Sequence, residues 1–286
     1  MNGICALTKK EGILRQCHIY PMFVIEWMKK TGSPYLRRGI EPNRRYQDGY
    51  KLALLSEEGE QMFSLREKWF AEKIFVPFLN DSKISIKYGE ELYYFAISIL
   101  WRILVLELRS DKIEDFKHYQ LMLRAEEQWR DFLYKGIYPI DFDNIHMMLT
   151  DRIQIHDFNM DGVEYYFCRQ CDGTTIYSNE NSQCVIYVKF ARFFFFGILD
   201  GWISEPKIGI KIHPTKGVFS MFDQSQVIDP LFSIFIKKRI TVINEMCVAS
   251  PSQQEKILED IKGNDKFLKS EAWDILQKDY YRNTKL

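Results

Sequence analysis

Apolar positions recur along the chain in changing rhythms, and the order of those rhythms predicts the architecture. The start is short and mixed: residues 1–22 read as a small hairpin with Lys10-Glu11-Gly12 at its turn. Phe23, Val24, Trp27 and Met28 then fall at helical spacing, and Thr31-Gly32-Ser33-Pro34 ends that helix. Residues 35–50 are polar and read as irregular, and 51–55 as a brief strand. Ser56 suits a helix N-cap because its hydroxyl can accept from a free amide, and Glu57 and Glu58 suit the positive helix end. With Met62, Phe63, Trp69, Phe70, Ile74 and Phe75 among its apolar residues, this helix is expected to run to about Pro77.

A helical block follows over 89–108 and 112–134. Leu92, Phe95, Ala96, Ile99, Leu100 and Ile103 keep the 3.6-residue period, Asp111 suits the cap of the second helix, and Gly136-Ile137-Tyr138-Pro139 closes the block. From about 147 to 222 strands take over, divided by turn signals at 159–162, 171–173, 178–182 and 214–217. Residues 184–196 fit a buried strand, and 190–199 also read as a helix. Helical patterns return over 223–246 and 252–280. A small mixed module, a helical block, a mostly antiparallel sheet and C-terminal helices make an α+β protein. The polar stretch Leu79-Asn80-Asp81-Ser82 is the candidate boundary between residues 1–79 and 80–286, two parts that can also pack as one body.

Composition narrows the class. The 286 residues are 46% apolar and 27% charged, a soluble globular balance with enough chain for a substantial core. Thirty-nine basic and thirty-nine acidic side chains cancel, which excludes a chain-wide pull on nucleic acid. Residues 1–50 are different: nine Lys and Arg stand against four acids, so a local basic face for phosphate, or an ordinary solvated surface, lies there. No apolar run reaches the roughly 18–20 residues needed to span a bilayer. Arg102 breaks one candidate run, and Arg192 and Asp200 another, so no membrane partner is expected. The first residues show no charged region followed by an apolar run, and the expectation is a cytoplasmic protein with reduced thiols.

Chemistry concentrates near the start, in Cys5-Ala6-Leu7-Thr8, Cys17-His18-Ile19-Tyr20-Pro21-Met22-Phe23, Asn43-Arg44-Arg45-Tyr46-Gln47-Asp48-Gly49, Leu54-Leu55-Ser56-Glu57-Glu58-Gly59-Glu60 and Phe63-Ser64-Leu65-Arg66-Glu67. Together these strings resemble the treble-clef HNH superfamily, and more closely a largely uncharacterised group of bacterial HNH-like proteins. The resemblance covers about the first 75 residues. It implies a zinc quartet at Cys5, Thr8, Ser56 and Gly59, of which only Cys5 is a zinc ligand by type. No structural zinc is therefore expected, and packing alone is expected to keep the treble-clef shape. The resemblance also implies that His18 is a general base for phosphodiester cleavage beside a divalent cation, magnesium or manganese. The residue before the base is Cys17, whose thiol suits neither ion. Glu60, Ser64 and Glu67 share one helix face, where Glu60 or Glu67 can supply a carboxylate to the ion or orient His18, or belong to a solvated face. Arg37, Arg38, Asn43, Arg44 and Arg45 are the residues expected to hold DNA or RNA.

Other signals are weaker. Cys168-Arg169-Gln170-Cys171 reads as two ordinary thiols in a hairpin, as a redox pair, or as half a zinc site with Cys184 and His156. His213-Pro214-Thr215-Lys216-Gly217 reads as a strand end and turn, and Phe193 to Phe196 as core or interface. Two functions follow. One is an HNH-like nucleic-acid-processing protein, a metal-dependent phosphodiesterase of bacterial phage defence as the resemblance implies. The other is a catalytically inactive treble-clef scaffold that binds a partner protein or nucleic acid.

Overall fold

The computed structural model describes residues 1–110, 116–151, 160–178, 182–201, 210–223, 230–246 and 248–283. Asp111, His156, Asn159 and residues 179–181 of the expected turn lie outside the described residues.

Strands β1 (Asn2–Ile4) and β2 (Glu11–Ile13) form the first hairpin, with Gly3 opposite Gly12. Its reversal is not at Lys10-Glu11-Gly12 but at residues 5–10. The Cys5 amide donates to the Lys10 carbonyl at 3.0 Å, and the Lys9 amide to the Cys5 carbonyl at 2.9 Å. The Cys5 sulfur also accepts from the Thr8 amide, so this cysteine nucleates the turn and displaces the glycine signal. β3 (Arg15–His18) then leaves the hairpin. α1 (Met22–Lys30), β4 (Leu36–Arg38) and β5 (Glu41–Tyr46) follow, and β6 (Lys51–Leu55) pairs antiparallel with β3, setting His18 opposite Lys51.

The irregular stretch expected over 35–50 is thus a hairpin of β4 and β5. It carries little β-branched sequence to announce itself. Arg37 donates to the Pro42 carbonyl at 2.6 Å, and the Arg38 guanidinium lies 4.0 Å from the Tyr46 ring centre. α2 (Glu57–Phe70) starts at Ser56, whose hydroxyl accepts from the Gly59 amide. The helical path continues past Phe70 through a π-helical turn (Ala71–Phe75) into α3 (Val76–Asn80). Pro77 therefore lies within one continuous helical path and brings no amide to bond back to the π-helical turn before it.

The larger part runs β7 (Ile86–Gly89), α4 (Glu90–Glu107), α5 (Tyr119–Lys135), β8 (Ile145–Leu149), α6 (Val163–Cys168), β9 (Asp172–Ser178), β10 (Gln183–Phe190), β11 (Phe193–Asp200), β12 (Ile210–Lys211) and β13 (Lys216–Phe219). α7 (Pro230–Met246), α8 (Pro251–Lys262), α9 (Asp265–Leu268) and α10 (Glu271–Asn283) complete it. The main sheet is antiparallel in the order β12-β8-β11-β10-β9, and β7 pairs with β13. The result is an α+β fold, as the alternation of patterns predicts. The expected turn at Cys171-Asp172-Gly173 is the start of β9, and α6, a helix of six residues, is too short to leave a period in the sequence. The single strand expected over 184–196 is two: β10 and β11 form a tight hairpin that turns at Ala191, at a φ of 46°, and 193–199 is strand rather than helix.

Helices cover both faces of this sheet, which explains its aromatic run. Phe193 and Phe195 join the core with α4 and α5, while Phe194 and Phe196 meet α6 and α7 on the other side. The first core also takes in Cys5, Cys17, Phe63, Phe70 and Phe75, and Phe70 stacks on Phe95 at 3.9 Å. Residues 1–79 and 80–286 therefore share one hydrophobic core across the polar stretch at 79–82. Among the described residues, no helix is long and apolar enough to cross a membrane.

A polar network sits inside the second core. Asp172 accepts from Arg239 and from the Tyr166 hydroxyl at 2.9 Å, and Tyr166 meets the Tyr187 hydroxyl at 2.9 Å. Lys189, fully buried on β10, donates to the carbonyls of Tyr166 and Gln170 at the end of α6. Burial pushes its ammonium down to about 7, against the pull of Cys171, Asp172 and Cys168. The unfolded chain keeps that proton to roughly pH 10.4. Through Lys189 the unfolded state thus binds more protons above about pH 7, and this group's contribution to stability rises from there by at most about 1.4 kcal/mol per pH unit. From about pH 8.5 the thiols of Cys17, Cys168 and Cys171, pushed up by burial, begin to pull the other way. Denaturant unfolding midpoints are expected to climb between about pH 7 and about 8.5, and Lys189→Met to lessen the climb. An equal slope in the variant would show that Lys189 is not its source.

Candidate functional site

His18 ends β3, where the strand alternation turns Cys17 inward and leaves the imidazole partly exposed. Its Nε2 lies 2.7 Å from Oδ1 of Asp48, with the two side chains 21% and 39% exposed. An ionised carboxylate only accepts, so Nε2 carries a proton, and in the neutral ring the lone pair is then on Nδ1. Nδ1 makes no hydrogen bond among the described residues. Asp48 sits just before β6, and the β3–β6 register brings it to His18. Oδ1 also accepts from the Gly49 amide at 2.8 Å, and Oδ2 takes the Lys51 ammonium. Partial burial opposes ionisation, but Lys51, His18 and the Gly49 amide together hold the Asp48 carboxyl well below the usual range.

Three cations from three elements hold this turn. Lys29 of α1 donates to the Gln47 carbonyl at 2.9 Å, Arg38 of β4 to the Gly49 carbonyl at 3.3 Å, and Lys51 of β6 to Asp48. Gly49 eases this approach: a Cβ there would lie 3.0 Å from the Ile25 side chain, which would have to give by a few tenths of an ångström, and 3.5 Å from the His18 ring. The arrangement is a histidine oriented by a carboxylate, bordered by positive charge. It can accept a proton next to an anion.

The carboxylates expected on α2 serve other partners. Glu60 meets the Cys17 thiol, which burial and this neighbour push up to about 12. Glu67 pairs with Arg102 of α4, which is 3% exposed and donates as well to the His18 carbonyl at 3.3 Å. Glu67 thus acts on the backbone of His18 through Arg102, and Asp48 rather than Glu60 or Glu67 orients the ring. The expected phosphate-holding residues also divide. Arg38 stands beside Asp48 and packs on Tyr46 and on Tyr50, the latter at 5.1 Å. Arg44, 68% exposed, lies 3.7 Å from Glu41 and 4.9 Å from the Tyr46 ring. Arg37 is tied to its own hairpin. Asn43 accepts from the Ser250 amide at 2.8 Å, and Arg45 pairs with Asp260, so these two dock the C-terminal helices.

Cys5, Thr8, Ser56 and Gly59 do come together. The Cys5 sulfur accepts from the amides of Thr8 and Ser56 at 3.5 and 3.2 Å and from the Ser56 hydroxyl at 3.4 Å, and that hydroxyl also caps Gly59. Burial works against its thiolate, but these groups and the Thr8 hydroxyl bring the thiol down to about 7. Cys168 ends α6 and Cys171 precedes β9, so they do not occupy a hairpin; burial pushes them to about 11 and about 12. Cys184 faces the other core, away from Lys189. His213 accepts from Thr215 within its own turn, and Phe193 to Phe196 are core.

Magnesium or manganese, implied by the family resemblance, asks for several oxygen ligands. Asp48 offers one carboxylate already bound to an ammonium, and Glu60 and Glu67 are engaged elsewhere. Among the described residues, no three His, Cys, Asp or Glu side chains gather as a metal site. The residues at His18 do not fit such an ion. In comparisons with known proteins, no family model, curated protein or solved structure matches the chain.

Asp48, Lys51 and Lys29 were not singled out by sequence reasoning. The signal for Asp48 was the Asp-Gly pair directly before the strand partner of His18. The knuckle geometry is open to direct test. A Cβ on Gly59 would meet Leu55 and Leu7 at 3.4–3.5 Å, an ordinary contact. A chain carrying Thr8→Cys, Ser56→Cys and Gly59→Cys is expected to bind one zinc tightly, read by metal analysis and by cobalt substitution spectra. Failure to bind would show that these four positions lack tetrahedral geometry.

Proposed function

We propose that the chain processes nucleic acid through an HNH-like N-terminal module, with His18 as general base, Asp48 as the residue that orients it, and Arg38, Arg44 and Lys51 as the phosphate-facing cations. The observation that carries this reading is the 2.7 Å contact between His18 and Asp48, which makes Nδ1 the acceptor of the neutral ring, on a turn held by three cations. Phage defence is the context suggested by the family resemblance.

The second reading is a binding module without catalysis. What favours it is the engagement of Asn43 and Arg45 by the C-terminal helices, which makes part of the arginine hairpin a structural joint. The two readings separate in one assay. Purified chain is incubated with single-stranded and duplex DNA and RNA, with and without magnesium or manganese. The enzyme reading predicts cleavage that falls by about 10²–10⁴-fold in His18→Ala. It also predicts a smaller loss in Asp48→Asn, confined to kcat with binding unchanged. Cleavage undiminished in His18→Ala would overturn it, and binding without cleavage would support the module.

A further inference from the structure

Resting on that reading, we infer that the site is built for single-stranded RNA, cleaved by the RNA's own 2′-hydroxyl without a metal ion. Hydrolysis of a phosphodiester by water needs the water activated and the developing phosphate charge neutralised, which metal-dependent nucleases achieve with carboxylate-held ions. The carboxylates near His18 are committed to side-chain cations and to a thiol: Asp48 to Lys51, Glu67 to Arg102, Glu60 to Cys17. The surrounding charge comes instead from ammonium and guanidinium groups.

That set suits an internal nucleophile. A 2′-hydroxyl is already held next to its phosphorus, so positioning is supplied by the substrate and only a base and a cationic clamp remain to be provided. Nδ1 of His18 is the base. The Lys51 ammonium has three donors, of which Asp48 uses one side. The Arg38 guanidinium gives one hydrogen bond to the Gly49 carbonyl and retains others. In the reaction Nδ1 takes the 2′-hydroxyl proton and the 2′ oxygen forms a bond to phosphorus. The bond from phosphorus to the 5′ oxygen breaks, and that oxygen takes a proton from water. The imidazolium returns its proton to the resulting hydroxide. The products are a 2′,3′-cyclic phosphate and a 5′-hydroxyl end, and no other reactant is consumed.

The neighbouring surface fits an unpaired strand. Tyr35 and Tyr50 are 43% and 36% exposed, and they flank the hairpin that carries Arg38 and Arg44. Exposed rings interleaved with arginine are a stacking and phosphate platform for splayed bases.

The test uses the full chain, a single-stranded RNA oligonucleotide and excess EDTA, with products read by mass spectrometry. The expected result is cleavage with 2′,3′-cyclic phosphate ends, and protection when the sugar at the cleaved position is 2′-deoxy. His18→Ala, purified in parallel as the control for contaminating ribonuclease, is expected to lose at least about 100-fold. His18→Gln repeats the measurement should the alanine variant misfold. Cleavage that requires magnesium or manganese, that proceeds on DNA or the 2′-deoxy substrate, or that leaves no cyclic phosphate would overturn the RNA inference and leave His18-dependent processing standing. No cleavage of any substrate would overturn both.

Discussion

The buried guanidinium of Arg102 fixes the relation between the small module and the rest of the chain. It interrupts the apolar stretch 99–106 of α4, and a charge 3% exposed costs several kcal/mol unless it is paired. Its partners come from the module: the Glu67 carboxylate of α2, the His18 carbonyl at the end of β3, and the Phe63 ring, 4.9 Å away. Removing Glu67 alone would strand that charge, a loss of about 3–5 kcal/mol by comparison with other buried pairs. The surrounding aromatic core, Phe70 on Phe95 and Phe75 near Phe193, supplies the bulk of the attraction but little direction. Arg102 supplies the direction. It ties β3, α2 and α4 together at the backbone atom of the residue whose side chain is the candidate base.

With its carbonyl clamped, His18 presents its ring on a short strand whose register with β6 is set by packing of Cys17, Leu54 and Leu55. Asp48 then follows from geometry, because the chain must turn into β6 beside the ring. The carboxylates of the module thereby separate into roles. Glu67 balances a buried charge, Glu60 meets a buried thiol, and Asp48 alone meets the imidazole. Cations collect around Asp48 because the Gln47–Gly49 turn exposes two carbonyls and a carboxylate within reach of α1, β4 and β6.

Much of this was legible in the sequence, for identifiable reasons. Helices α1, α2 and α4 show in their 3.6-residue period, and Ser56 announces the start of α2 through cap chemistry. The hairpin of β4 and β5 escaped because its strands are Leu-Arg-Arg and Glu-Pro-Asn-Arg-Arg-Tyr, held by arginine on tyrosine rather than by β-branched alternation. The first turn was misplaced because glycine is a stronger sequence signal than a cysteine whose sulfur accepts amides. At the site, His18 was visible from its string. The partner of the ring was not, because helical spacing drew attention to Glu60 and Glu67, while the contact to Asp48 depends on a strand register across 30 residues. Asn43 and Arg45 looked like phosphate ligands by type, and only the placement of Ser250 and Asp260 shows what they hold.

The direct test of the account is the tautomer of His18, read by long-range nitrogen–proton NMR of the imidazole side chains. There are five histidines in the chain, so assignment through His18→Gln is practical. The account predicts a neutral ring protonated on Nε2, with Nδ1 resonating as a bare nitrogen, and loss of that preference in Asp48→Asn. A neutral ring protonated on Nδ1, or a spectrum indifferent to Asp48→Asn, would contradict it, because the nitrogen required to accept the substrate proton would then not be held free.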